Sequence, residues 1–244
     1  MAHEMINGTF RQTNLPNESD EYLSKREELR LAEIELMRQR ERVAELRRGL
    51  PQGTPVQDYA FEEGPAKLDA GDTPIRSVRL SELFSAPNRT LVVYHFMFGK
   101  KKTTPCPMST LWIDGWNGVA HHLAQNVDVA IVAAADPIAL RAHARTRGWH
   151  RLRLLSCGDN TFKYDLGSED REGNQDSTVS VFTRNNDAPF VTSTRLIRLC
   201  RAKSKSAASI SYVPFGMFSI SLRRGGVIGM RILVTALNVS AVRR

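Results

Sequence analysis

Cys106-Pro107-Met108-Ser109 is the stretch whose residue types and spacing could do chemistry. It follows an apolar, β-favouring run, Thr90-Leu91-Val92-Val93-Tyr94-His95-Phe96-Met97-Phe98, and precedes a helix-like segment from Ser109 to about Gln125. A cysteine between a strand and a helix start meets exposed N–H groups and the positive end of the helix, and both favour a thiolate. Such a thiolate attacks disulfides and peroxides. Lys100, Lys101 and Lys102 add positive charge that supports it, and Pro105 and Pro107 stiffen the loop. Ser109 reads as the helix N-cap and as a donor to the thiolate. Pro107, Met108 and Trp112 are the candidates for binding substrate, although Trp112 and Trp116 share a helix face that core packing explains equally well. Cys157 is the remote thiol that could resolve a mixed disulfide. For either cysteine the competing reading is a buried, inert side chain.

Other chemistries leave no trace in the residues. His95 and His121-His122 do not make a metal pattern, and no Cys/His set has zinc spacing. His143 and His150 read as surface residues. There is no Gly-rich phosphate loop, nucleophile elbow or triad spacing, so no cofactor and no metal is expected. The Pro-x-x-x-Thr-x-x-Cys pattern of peroxide-reducing enzymes is absent too. Thr103 sits three before Cys106, but Gly99 stands where the proline would be.

The elements that must position Cys106 follow from periodicity. Residues 1–19 read as a flexible N-terminus. Residues 20–50 read as an amphipathic helical arm from about Asp20 to Arg48, with Tyr22, Leu29, Leu36 and Val43 recurring every seven residues. Ser24 with Glu27 suggests a capping box, and Gly49 and Pro51 stop the helix. The arm either packs on its own domain or pairs with a second copy as a homodimer. Residues 51–187 alternate strand and helix signals. Strands are expected at Val56–Glu62, Thr90–Phe98, Val127–Ala135, Leu152–Ser156 and Thr178–Thr183. A turn or helix is expected at Val78–Phe84, and helices from Ser109 and from Pro137 to Arg147. This is the pattern of an α/β sandwich with a parallel core.

The chain has 244 residues and a formal net charge of +8. Residues 188–244 hold 10 of the 34 lysines and arginines and none of the 26 aspartates and glutamates, so the rest of the chain is net −2. No apolar run reaches the roughly 18 residues of a transmembrane helix, and no secretory signal is read at the N-terminus. Three scattered cysteines, Cys106, Cys157 and Cys200, do not make a disulfide scaffold. Together these point to a reducing cytoplasm, with no membrane and no specific nucleic acid as partner.

With these residues in hand, the chain resembles the bacterial thioredoxin-like family known as domain of unknown function 899. The matching stretches are VVYHFMFG, PCPMSTLWIDGWNGVAHHLAQNVDVAIVAAAD, RGWHRLRLLS, FKYDLGSED and GNQDSTVSVFTR. The arm ending in LRRGLP and the following DYAFEEGP fit as well, and the resemblance covers roughly residues 15–187. It implies an α/β thioredoxin-like sandwich with a long N-terminal helix. The family commonly shows Cys-Pro-x-Cys here. Cys106 matches the first cysteine, while Ser109 replaces the second. Two function classes follow. One is a thiol–disulfide oxidoreductase with a single nucleophilic cysteine, acting on a disulfide-bearing protein or with a low-molecular-weight thiol. The other is a non-catalytic thioredoxin-fold binding module, or a defective family member.

Residues 188–244 form a basic tail of doubtful native structure. Family members continue past 187 with a strand resembling V-R-H-F-Y-T and close on a segment resembling E-R-G-I-D-L-L-x-P-V-W-N-V-L-D-L-T-P-E-G-R-G-D-W. Back-translated with each codon begun one nucleotide earlier, residues 205–229 can encode that closing segment, and residues 190–194 shift onto the R-H-F-Y strand. The hypothesis is a reading-frame change near Asp187. The alternative is a selected basic tail for nucleic acid or anionic lipid, but its charge is scattered and its aromatics are few. Sequencing the gene is expected to reveal a single-nucleotide slip that restores the family tail. An intact frame with no recoverable tail would refute it.

Overall fold

The computed structural model describes residues 16–184, apart from Gln52 and Asp159, and the strand segments Val191–Arg198, Ile220–Leu222 and Met230–Ile232. Most of the basic tail, Cys200 included, lies outside the described residues. No described helix is long and apolar enough to cross a membrane. The chain divides into two units, Met1–Leu46 and Arg47–Arg244.

The first unit is built on α1, Asp20–Arg48. Its glutamates, arginines, leucines and alanines are good helix formers, and Asp20 and Glu21 in the first turn suit the positive end. Lys25 pairs with Glu28 at 2.8 Å and Arg30 with Glu27 at 2.6 Å, exposed pairs between neighbouring turns of the helix. The expected capping box is displaced. Ser19 caps the helix, its Oγ accepting from the Tyr22 amide at 3.2 Å, and Ser24 lies inside the first turns.

The second unit carries β1 (Ala60–Glu63), β2 (Arg76–Arg79), β3 (Thr90–His95), α2 (Pro107–Leu123), β4 (Val127–Ala133), α3 (Pro137–Arg147), β5 (Arg153–Ser156), α4 (Phe162–Asp165), β6 (Thr178–Arg184) and β7 (Val191–Arg198). They form a seven-stranded sheet in the order β2-β1-β5-β4-β3-β6-β7. The expected parallel core is β3-β4-β5, while β6 and β1 run antiparallel to their neighbours β3 and β5. The run β7-β6-β3-β4, with α2 crossing from β3 to β4, is the thioredoxin-like arrangement. The strand expected from Val56 begins only at Ala60, because Asp58 turns its carboxylate to the Ser81 amide and hydroxyl, both at 2.9 Å. That pairing also holds the 3-10 turn Leu80–Leu83, which stands where a turn or helix is expected.

Every residue of β3 is buried, as expected of a strand covered on both faces. Val92 and Tyr94 face α2 and α3 through Trp112, Ile113, Trp116, Leu140 and Ala144. Leu91 and Val93 face Tyr59, Phe61, Leu80, Leu83 and Phe162. The two helices are pinned by polar contacts along one side of α2. Asp114 accepts from the Trp149 indole at 2.8 Å and pairs with Arg147, and the Asn117 amide donates to the Gly148 carbonyl at 3.1 Å. Asp136 caps α3 through the Ile138 and Ala139 amides, and Gly148, at φ 68°, ends it in the left-handed conformation that glycine adopts without strain.

The antiparallel edge depends on a buried carboxylate. Glu63 accepts from Arg153 Nε at 2.7 Å and from Arg76 Nη2 at 2.8 Å, tying β1 to both neighbours. Burial alone would raise its pKa, but the bonds to Arg153 and Arg76 hold it below the usual carboxylate range. Its contribution to stability is therefore complete above the ordinary glutamate value, about 4.3, and lost as pH falls through the lower folded value. We expect Glu63→Ala to cost about 2 kcal/mol at neutral pH and much less at pH values below the folded carboxyl's titration. Urea unfolding at the two pH values checks this, and equal loss at both would refute the linkage.

Candidate functional site

Cys106 stands where β3 hands over to α2. Past His95 the strand stays attached to β4, with the Phe96 amide donating to the Val132 carbonyl at 2.8 Å and the Ala134 amide to the Phe98 carbonyl at 3.0 Å. Residues 99–102 then reverse the chain, with Gly99 and Lys102 exchanging backbone bonds of 2.8 and 3.0 Å. Gly99 is required there. Its φ is +96°, and a Cβ would lie 2.1 Å from the Ala135 nitrogen. The loop closes when the Cys106 amide donates to the Met97 carbonyl at 3.1 Å.

Cys106 is itself the N-cap of α2, extended at φ −70° and ψ 124°, with Pro107 in the first helical position. The Thr110 amide donates to its carbonyl at 2.9 Å. No side chain caps the helix, so the donors of its first turn keep their capacity for an anion. The Cys106 thiol is free and half-buried. The site can therefore present one sulfur to solvent at the positive end of a 17-residue helix.

The other site candidates divide. Ser109 is not the cap. It lies one turn into α2, fully buried, and its Oγ has no hydrogen-bond partner among the described residues, so the expected bond to Cys106 is not made. Pro107 and Met108 are exposed beside Cys106. Trp112 is buried in the core between α2 and the sheet, which removes it from the rim. Leu111, 54 % exposed and one turn from Met108, takes that place, and helical spacing could have found it. Lys100 turns away to Glu169 at 2.8 Å, so its charge is already partnered. Lys101 is exposed and Lys102 is held by its backbone in the turn. Cys157 is buried in the cluster on the sheet face opposite α2, and burial pushes its thiol up to about 11. It is not placed to resolve a disulfide at Cys106.

His143 corrects the surface reading. It is half-buried, with its ring 5.2 Å from Trp149 and 5.9 Å from Phe96, and its Nε2 lies 3.3 Å from Thr110 Oγ1 on the turn after Cys106. Burial lowers its pKa, Arg147 adds to that, and Asp114 opposes it. His150 stays exposed beside Asp69. Among the described residues no cluster of His, Cys, Asp and Glu could hold a metal ion. A cavity of about 290 Å³ lies at the other end of the sheet, between the C-terminal end of α2 and the starts of β4 and β5, lined by residues such as Phe84, Asp128 and Arg151. No candidate site residue borders it.

Comparison with known proteins gives one family. A model described as "Bacterial protein of unknown function (DUF899)" matches residues 12–199. No curated protein matches the chain significantly. Among solved structures, reduced Prx3 from Vibrio vulnificus in complex with hydrogen peroxide is 20% identical, with 66% of this chain and 96% of that chain covered and a TM-score of 0.45. The 1-Cys peroxiredoxin antioxidant protein of Plasmodium falciparum is 12% identical, with 61% and 84% covered and a TM-score of 0.46. A reduced 2-Cys peroxiredoxin of Plasmodium vivax is 13% identical, with 65% and 91% covered and a TM-score of 0.45.

The Gly99 geometry gives the prediction for this site. Gly99→Ala forces a Cβ into the backbone of Ala134 and Ala135 at an unfavourable φ, and is expected to cost about 3 kcal/mol. Urea unfolding measures it, and a variant as stable as the parent would refute the close approach.

Proposed function

The chain belongs to this bacterial family, DUF899, and we propose that it is a thiol–disulfide oxidoreductase of thioredoxin-like fold that uses Cys106 as its single nucleophile. The observation that carries the reading is the free, half-exposed Cys106 at the uncapped positive end of α2. Its thiolate attacks one sulfur of a disulfide, a new S–S bond forms at Cys106, and the other sulfur leaves as thiolate with the electron pair. In a two-cysteine cycle the residue at position 109 would attack next. A serine hydroxyl cannot, and Cys157 lies buried on the other face. A low-molecular-weight thiol must therefore attack the mixed disulfide, restoring the Cys106 thiolate and carrying the substrate sulfur away as a new disulfide. That requirement fits a reducing, cytoplasmic compartment. Pro107, Met108 and Leu111 supply the exposed apolar rim on which a disulfide-bearing protein would rest.

Ser109 supports the reading from another direction. A buried hydroxyl without a partner costs about 1–3 kcal/mol, whereas a thiol, a weak donor, loses little in the same place. Position 109 is thus better suited to sulfur than to oxygen.

Two variants test the proposal. The parent is expected to accumulate a mixed disulfide at Cys106 when treated with a protein disulfide, seen by intact mass, and Cys106→Ala to show none. Ser109→Cys is expected to close a 106–109 disulfide on oxidation and to raise turnover with a reducing thiol about tenfold or more, through the effective concentration of a neighbouring thiol. Absence of labelling at Cys106 until the protein is denatured would favour the non-catalytic binding module instead.

A further inference from the structure

α4 and the segment that follows it bury a connected set of polar groups against β3 and β6. Lys163 is fully buried, yet no carboxylate pairs with it among the described residues. Its Nζ donates instead to the Phe96 carbonyl at 2.6 Å and to Gln175 Oε1 at 2.8 Å. Gln175 Nε2 passes the chain on to the Gly99 carbonyl at 3.0 Å. The Lys163 carbonyl accepts from the Ser168 amide at 2.7 Å and the Ser168 hydroxyl at 3.0 Å. That hydroxyl lies 2.8 Å from His95 Nδ1, and His95 Nε2 lies 2.8 Å from Ser180 Oγ. A buried ammonium is costly unless its donors are satisfied. Here backbone and amide oxygens satisfy two of them.

Burial lowers the Lys163 amine to about 8, with Lys100 acting in the same direction and Cys157 and Glu169 against it. The contacts do not depend on that charge, because a neutral amine keeps two N–H donors and both acceptors stay in place. The cluster is therefore not a pH switch. Its consequence lies in what it holds. The register of β3 with β6 ends at His95, so the ladder on that side stops just before Phe96. From there Lys163 grips Phe96 and Gln175 grips Gly99. Between them sits Met97, whose carbonyl receives the Cys106 amide.

We propose that Lys163 and Gln175 are positioning residues for Cys106, clamping the chain on both sides of Met97 so that the nucleophile's amide, and with it the sulfur, is fixed at the end of α2. The proposal rests on the reading of Cys106 as the nucleophile. Neither residue touches the sulfur, and neither is near it in sequence.

The test uses the full chain with Gln175→Leu and Lys163→Met. One readout is hydrogen exchange at the Cys106 amide, followed beside the amides of Val92 to Tyr94 in the central strand. The other is the rate at which Cys106 attacks 5,5′-dithiobis(2-nitrobenzoate), with the adduct assigned to Cys106 by mass. In that step the Cys106–sulfur bond forms, the probe's S–S bond breaks, and thionitrobenzoate leaves with the electron pair. Both variants are expected to expose the Cys106 amide and to slow the attack about tenfold, as small misplacements of a reacting group do, while the central amides stay protected. Gln175→Glu, which keeps the acceptor for Lys163 and loses the donor to Gly99, is expected to retain more of the rate than Gln175→Leu. Unchanged amide protection and rate in Gln175→Leu would overturn the proposal, as would losses that track global unfolding. If Lys163→Met fails to fold, the Gln175 variants decide alone. If the parent's Cys106 does not react in the folded state, the nucleophile reading falls, and the amide exchange still judges the clamp.

Discussion

One backbone hydrogen bond, from the Cys106 amide to the Met97 carbonyl, holds the arrangement at the end of β3 together. It closes a loop that leaves the sheet after Phe98 and returns at the start of α2. Everything around it serves the same closure. Gly99 lets the chain pass against Ala134 and Ala135, and Pro107 sets the first helical φ. The core beneath is packed from both sides of a fully buried strand, so that the loop's two anchors cannot drift apart.

The large elements were legible in the chain. α1 and α3 occupy the spans their periodicity indicates, and the continuous apolar run at Thr90 is the central strand. The ends were less so. Ser109 suggested the cap because hydroxyls favour that position, but a proline two residues earlier is the stronger signal, since it fits the first helical position and makes its predecessor the cap. The first strand begins late because Asp58, a short polar residue, is drawn to Ser81, 23 positions away.

The neighbourhood of the sulfur was legible only where it is local. The three lysines read as a pool of charge, yet Lys100 belongs to Glu169, 69 positions along. His143 meets Thr110 across 33 positions, and Lys163 reaches Phe96 across 67. No helical or strand period links such pairs, so a single sequence offers no sign of them. A buried lysine in a short helix such as Phe162–Asp165 reads from sequence as a solvated surface residue. In the fold its ammonium serves as the bracket of a loop.

Pro107 has a consequence for what the helix end can discriminate. A proline in the first helical position removes one of the amide donors that an uncapped helix would otherwise present. A phosphate or sulfate draws its affinity from several such donors converging on several oxygens. A lone sulfur is served by fewer. With Pro107 in its first position, the end of α2 thus offers a multi-oxygen anion fewer amide donors than a helix opening without proline would.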